Sequence, residues 1–145
     1  MNKTRLEQEL IRDEGLKLMQ YFCPAGYPTI GVGHKLSHIK NDPEAWPKEI
    51  ELRHAGQYLE EDITDAVRTV ECIFPEWEEW SEARQHALVN MAFNLGEWKL
   101  RGFKLMKAAI DSRDWEQAAK EAKDSLWYRQ VGPRAERIVS AIREG

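Results

Sequence analysis

The chain has 145 residues, 42% of them hydrophobic and 32% charged, and carries a formal net charge of −4. Such a length supports one good core and is too short for two independent domains, although it can fold as two lobes that share a connecting helix. No apolar run approaches the roughly eighteen residues a membrane span requires, and no basic stripe with interleaved aromatics is present, so neither membrane insertion nor nucleic-acid binding is expected.

In chain order, the first predicted element is a helix from about Arg5 to Asp13. Thr4 followed by Glu7 resembles a capping box, and Leu6, Leu10 and Ile11 recur at helical spacing. Gly15 is placed to end it just after Glu14. From Leu16 to Val32 the chain changes: Pro24, Gly26, Pro28, Gly31 and Gly33 punctuate short segments that cannot be helical, which predicts a small hairpin-rich sheet and the one β region of the chain. Ser37 to Pro47 reads as a loop with at most a helical turn.

Leu52, Ala55, Tyr58, Leu59, Ile63, Ala66, Val67 and Val70 then recur at three and four, giving a long amphipathic helix that ends before Pro75 and could connect two lobes. Ser81 opens a further helix with Ala83, Ala87, Leu88, Met91, Ala92 and Leu95 on one side and Gly96 as its terminator, and it is expected in the middle of the core. Shorter helices are predicted over Phe103 to Ile110, Trp115 to Leu126 and Pro133 to Ile142, the last opened by proline at a first-turn position. The expected fold class is α+β, mostly α: a small N-terminal antiparallel sheet lobe and a helical C-terminal lobe, joined by a long helix with a cleft between.

The segment Met1 to Ile11 lacks the apolar core of a signal peptide, so no export signal is expected. Without one, the two cysteines, Cys23 and Cys72, are expected to stay reduced. Cys72, among Val67, Val70, Ile73 and Phe74, reads as a core residue. Trp115 and Trp127 fall on apolar helical faces, whereas Trp46 and Trp98 are freer to be exposed. Charge is lopsided: residues 1–98 hold ten Lys plus Arg against eighteen Asp plus Glu, and residues 99–145 hold eleven against seven. An anionic polymer would meet the basic third more readily, although a solvated surface of mixed charge accounts for it equally well. No His or Cys cluster has zinc spacing, and no metal or other cofactor is expected.

Chemistry concentrates in three residues at fixed spacing: Glu14, Cys23 after eight intervening residues, and Thr29 after five more. Read singly, Glu14 is an ordinary carboxylate at a helix end, Cys23 a small buried hydrophobe, and Thr29 a strand residue with a satisfied hydroxyl. Read together, they supply a carboxyl group, a thiol and a hydroxyl, the parts needed for acid-assisted attack of water on a glycosidic bond.

The spacing resembles the signature of the T-even-phage-type lysozymes, glycoside hydrolase family 24, which runs Glu, eight residues, Asp or Cys, five residues, Thr. Further matching pieces are Tyr27-Pro28-Thr29-Ile30-Gly31-Val32-Gly33-His34, the run Ala87 to Gly96, Trp115-Glu116-Gln117-Ala118-Ala119, and Trp127-Tyr128 followed by Arg134-Ala135. The similarity covers about Leu6 to Gly145. It implies a lysozyme-like fold, one catalytic domain over residues 1–145 with no separate wall-binding domain, and hydrolysis of the β-1,4 bond between N-acetylmuramic acid and N-acetylglucosamine in peptidoglycan.

The resemblance also implies residue roles. Glu14 is the general acid, which a partly desolvated site helps to keep protonated. Cys23 stands where relatives often carry Asp, and either activates water or attacks the sugar; a free thiol with a pKa of about 8.5 is the weaker base and the better nucleophile. Thr29 pins the attacking water. Asp13, His34, Asp62 and Arg134 match positions used for ion pairs beside the cleft. Phe93 and Asn94 match a cleft-wall position where Gln is usual, and Lys35 replaces an apolar residue, so these three are the expected substrate contacts. A lytic transglycosylase, which cuts the same bond without water, and an inactive peptidoglycan-binding module are the rivals; Cys23 and Thr29 speak against the first and Glu14 against the second. The resemblance further implies a monomer held in the cytoplasm of an infected host until a holin opens its way to the wall.

Overall fold

In the computed structural model, which describes all 145 residues, the chain opens with helix α1 (Lys3–Glu14), whose Leu6 and Leu10 are fully buried one turn apart. Thr4 therefore lies inside the helix and not at its cap. Gly15, with φ at +77°, donates its N–H to the Ile11 carbonyl at 2.8 Å and ends the helix where the sequence predicts.

A three-stranded antiparallel sheet follows, in the order β1 (Lys17–Phe22), β2 (Pro28–Gly31), β3 (His34–Lys35). It continues past the Val32 limit set from the sequence. Tyr21 faces Thr29 and Phe22 faces Pro28, while Thr29 faces Lys35 and Ile30 faces His34; an irregularity in β1 separates this register from the Lys17–Gly31 pair. The loop before the long helix covers the outer edge of β1. Gln20 donates its N–H to the Lys48 carbonyl, and its side-chain amide donates to the carbonyls of Ala45 and Pro47 at 3.0 and 3.1 Å, flanking a cis Trp46–Pro47 bond. An otherwise unpaired strand edge is satisfied in this way.

Helix α2 (Leu52–Ile73) carries its apolar stripe at the predicted positions, except that Leu52, at its first turn, is exposed. The chain divides within this helix into two compact units, Lys3–Thr64, and Asp65–Gly145 with Met1–Asn2. The core of the first includes Ile30, Ile50 and Ala55, with Leu36 and Tyr58 packed against them. Beyond the division, Val70 and Ile73 are buried but Cys72 is exposed, which corrects its assignment to the core. At about 100° per residue, a position between two inward-facing residues turns outward. Both cysteines are free thiols.

The second unit is helical throughout: a 3-10 turn at Trp77–Glu79, then α3 (Glu82–Leu95), α4 (Glu97–Arg101), α5 (Lys104–Asp111), α6 (Trp115–Lys123), α7 (Leu126–Val131) and α8 (Pro133–Glu144). Ser81 caps α3 by accepting the Arg84 N–H, as predicted. The residues from Gln85 to Ala92 are all buried, so α3 lies in the middle of the core as the sequence predicts, although its burial goes beyond one apolar side and Ala83 lies exposed. It packs against α8, which also packs against α6. Arg84 donates to the carbonyls of Ile142 and Arg143 at 2.9 and 3.0 Å, putting a cation at the C-terminus of α8.

The helix predicted over Trp115 to Leu126 is two. The Ser125 hydroxyl donates to the Ala122 carbonyl at 2.7 Å and accepts the Tyr128 N–H at 3.1 Å, so one side chain helps end α6 and caps α7. No helix of the chain is long and apolar enough to cross a membrane.

Candidate active site

Glu14, the last residue of α1, has its carboxyl group on the backbone of the β2–β3 turn. A Cβ built on Gly33 would lie 2.7 Å from Glu14 Cδ and 3.0 Å from Glu14 Cγ, inside the distance at which carbon atoms repel. Gly33 also has φ at +62°, in the left-handed region that other residues enter at a cost. Two requirements therefore converge on one glycine: the turn needs its backbone freedom, and the carboxyl group needs the space.

Cys23 follows β1 at the tip of the first hairpin. Its N–H donates to the Tyr27 carbonyl at 3.0 Å and its own carbonyl accepts the Gly26 N–H at 2.8 Å, a tight turn in which Pro24 fixes the second position. Burial pushes the thiol pKa up, but hydrogen bonds from the backbone N–H groups of Tyr27, Ala25 and Gly26 and from the Thr29 hydroxyl outweigh it, and the net shift is downward. Thr29 is buried, and its hydroxyl donates to the Tyr27 carbonyl at 2.8 Å. A hydroxyl has one proton to give. The Thr29 proton thus goes either to Tyr27 or to Cys23, and ionisation of the thiol favours the sulfur.

Tyr21, which the sequence reading passed over, belongs to the same constellation. It pairs across the sheet with Thr29, and strand alternation puts it on the same side as Cys23 two residues on. Its phenol pKa is raised by burial first and then by the charges of Glu14 and Cys23. The phenol therefore keeps its proton and stands near both groups as a neutral donor. The available signal was the period-two spacing of Tyr21 and Cys23.

His34 and Asp62 are brought together: His34 Nδ1 lies 2.7 Å from Asp62 Oδ2. The His34 ring stacks on Tyr58 with centroids 4.1 Å apart and planes within 2°, so α2 fixes the start of β3 through two of its side chains. The periodicity of α2 marks Tyr58 only as an apolar position. The Asp13 side chain is 2% exposed and lies 3.4 Å from Arg12 Nε. Lys35 is exposed, with its ammonium 4.1 Å from the centre of the Tyr27 ring.

The remaining predicted residues belong to the second unit. Phe93 is half-buried near the end of α3. Asn94 is exposed, and its Oδ1 accepts the Trp127 indole N–H at 2.8 Å, so its amide is partly committed to holding that ring, against whose face or edge Phe103 packs at 88°. Arg134, in the first turn of α8, is buried and donates from Nε to Asn90 Oδ1 at 2.9 Å.

Comparison with known proteins gives a concordant picture. The sequence model of the family described as Phage lysozyme matches residues 12–141. The chain is 33% identical, over 97% of its length, to the pre-baseplate central spike protein Gp5 of Enterobacteria phage T4, of which the matched part is 28%. It is also 29% and 28% identical to the probable T4-type lysozymes 1 and 2 of Dictyostelium discoideum, with 98% of this chain and 95% of each of those proteins covered. The chain thus spans about a quarter of the spike protein and nearly all of the two amoebal proteins.

Proposed function

The chain belongs to the phage lysozyme family and is with it a lysozyme-type glycoside hydrolase acting on peptidoglycan, and on that premise we propose that it cuts the β-1,4 bond between N-acetylmuramic acid and N-acetylglucosamine. The observation that carries this reading is the seating of the Glu14 carboxyl group on Gly33, in the turn that leaves the strand holding Thr29. A carboxyl group seated on bare backbone is held in a fixed position next to the strand that carries the Thr29 hydroxyl.

In the proposed step Glu14 gives its proton to the leaving oxygen as the glycosidic bond breaks. A water held by Cys23 and Thr29 attacks the anomeric carbon from the opposite face and passes a proton to Cys23, so the configuration inverts. The hydrogen bonds that lower the Cys23 pKa support this role, because they raise the fraction of thiolate able to accept that proton. Tyr21 supplies a neutral hydrogen bond beside the acid. A transglycosylase would need no group to hold water, and the buried Thr29 hydroxyl next to Cys23 favours hydrolysis over that route.

The biological role we propose is host lysis by a monomer that waits in the cytoplasm and reaches the wall through a lesion made by a holin. Action without a further domain is supported by the match covering 95% of each of the two Dictyostelium relatives, and the holin and the cytoplasmic stage follow from the family resemblance.

The test is Glu14→Gln, assayed by loss of turbidity of purified walls. The amide cannot give the proton, and clearing is expected to fall by at least about a thousandfold with thermal stability unchanged or higher. Activity within tenfold of the wild type would sink the assignment. Mass spectrometry of the products should show reducing muropeptides rather than 1,6-anhydro ends.

A further inference from the structure

In a chain of net charge −4, the segment from Gly15 to Asn41 contains three lysines, two histidines and no Asp or Glu. This segment is the sheet with its two turns and the loop that follows. Elsewhere several surface cations are matched with nearby carboxylates, Lys3 with Glu60, Arg53 with Glu51, Arg68 with Asp65, Arg101 with Glu97 and Lys107 with Asp111, and the exposed lysines that are not, such as Lys99 and Lys120, lie in stretches that also carry Asp or Glu. Lys17, Lys35 and Lys40 are exposed and pair with no carboxylate.

Their ammonium groups lie over tyrosine rings instead. Lys17 is 4.2 Å from the centre of the Tyr21 ring, while Lys35 and Lys40 are 4.1 and 5.8 Å from the centre of the Tyr27 ring. The register ties them to the catalytic constellation: Tyr21, Thr29 and Lys35 form one cross-strand row, and Tyr27 closes the turn that holds Cys23. A tyrosine face attracts a cation and holds its stem without neutralising its charge. Each ammonium keeps donors for a further partner. Lys35 and Lys40 share the Tyr27 ring, so their fields add there.

Building on the function proposed above, we propose that Lys17, Lys35 and Lys40 form a subsite for anionic groups of the wall, which takes the carboxylates of the peptide side chains borne by the glycan while the glycosidic bond lies at Glu14. The sugar hydroxyls and acetamides of the glycan accept hydrogen bonds from an ammonium but carry no charge to match it. The peptide carboxylates are the anions covalently attached next to the bond to be cut. The chain as a whole is negative and would otherwise repel such a substrate, and the lysines offset that repulsion locally. Wall phosphates are the other source of the same charge, and the test separates the two.

Three wall preparations are compared at equal glycan concentration: one retaining teichoic acid, one freed of it by hydrofluoric acid, and the second stripped of peptides by an amidase. The wild type and the variant with Lys17→Gln, Lys35→Gln and Lys40→Gln are assayed on each. The wild type should prefer the peptide-bearing glycan to the stripped one, and the variant should lose about fivefold of that preference, mainly through KM, the scale of three exposed charge contacts. A variant with arginine at the three positions, sharing the charge, should keep the preference and guards against a folding defect. An unchanged preference in the glutamine variant, or a loss confined to the teichoic-acid preparation, overturns the subsite. A wild type that cuts none of the three overturns instead the function on which the subsite rests.

Discussion

Replacing Gly33 by alanine separates the two demands that converge on it. The new Cβ would lie 2.7 Å from Glu14 Cδ. Restoring ordinary carbon contact at about 3.5 Å moves the carboxyl group by roughly 0.8 Å. A displacement near 1 Å at a reacting group costs on the order of 10²-fold in rate. The left-handed backbone at φ +62° adds a stability cost of about 1–2 kcal/mol, independent of Glu14. Gly15→Ala is the control: its φ is +77°, and nothing lies within 4 Å of the added Cβ. Both variants should therefore lose about 1–2 kcal/mol in urea denaturation, and Gly33→Ala alone should lose about a hundredfold in wall clearing. If the two variants lose activity equally, or if Gly33→Ala stays within threefold of the wild type, the seating of Glu14 on Gly33 does not set the rate.

Further outcomes follow from the hairpin, the loop and the long helix. The rate of Cys23 alkylation by iodoacetamide, followed against pH in a Cys72→Ser background, should show a midpoint below that of an ordinary thiol, and Thr29→Val should move the midpoint upward because a hydrogen bond to the thiolate is lost. Cys23→Asp should keep substantial wall-clearing activity and Cys23→Ala should lose most of it; a fully active alanine variant removes Cys23 from the mechanism. Cys72→Ser should change stability by less than about 0.5 kcal/mol, since the side chain is exposed; a loss near 2 kcal/mol would restore it to the core. The Asp42 carboxyl pKa is lowered, first by the Ser37 hydroxyl at 2.6 Å and then by the Glu44 N–H at 3.0 Å. A carboxyl group with a depressed folded pKa stabilises above its unfolded pKa of about 3.9, and that stabilisation is lost as pH falls through the folded value. The stability gap between the wild type and Asp42→Ala should accordingly narrow below pH of about 4; a gap constant down to pH of about 2 would exclude the ionised form as its source.

What the sequence determined by itself is what depends on near neighbours along the chain. Gly15 and Gly96 stop helices, Ser81 caps one and Pro133 opens another, because these effects reach only a turn or so of backbone. The stripe on α2 and the punctuated sheet segment follow from periodicity, and the spacing of Glu14, Cys23 and Thr29 carried the family. The errors were local readings that lacked a partner. Cys72 is surrounded in sequence by apolar residues, yet helical phase turns it outward; the break at Ser125 rests on one hydrogen bond that its hydroxyl donates and one that it accepts. Thr4 matches a capping pattern two residues too late, since α1 already begins at Lys3. Only the tertiary structure decided what touches what: that Gly33 is bare because Glu14 occupies the space of its side chain, that Tyr21 stands near both Glu14 and Cys23, and that His34 is held between Tyr58 and Asp62. Those contacts join residues up to 28 apart in the chain. They form when hydrophobic burial docks the helices on the sheet, and no local propensity encodes a distance between segments that burial brings together.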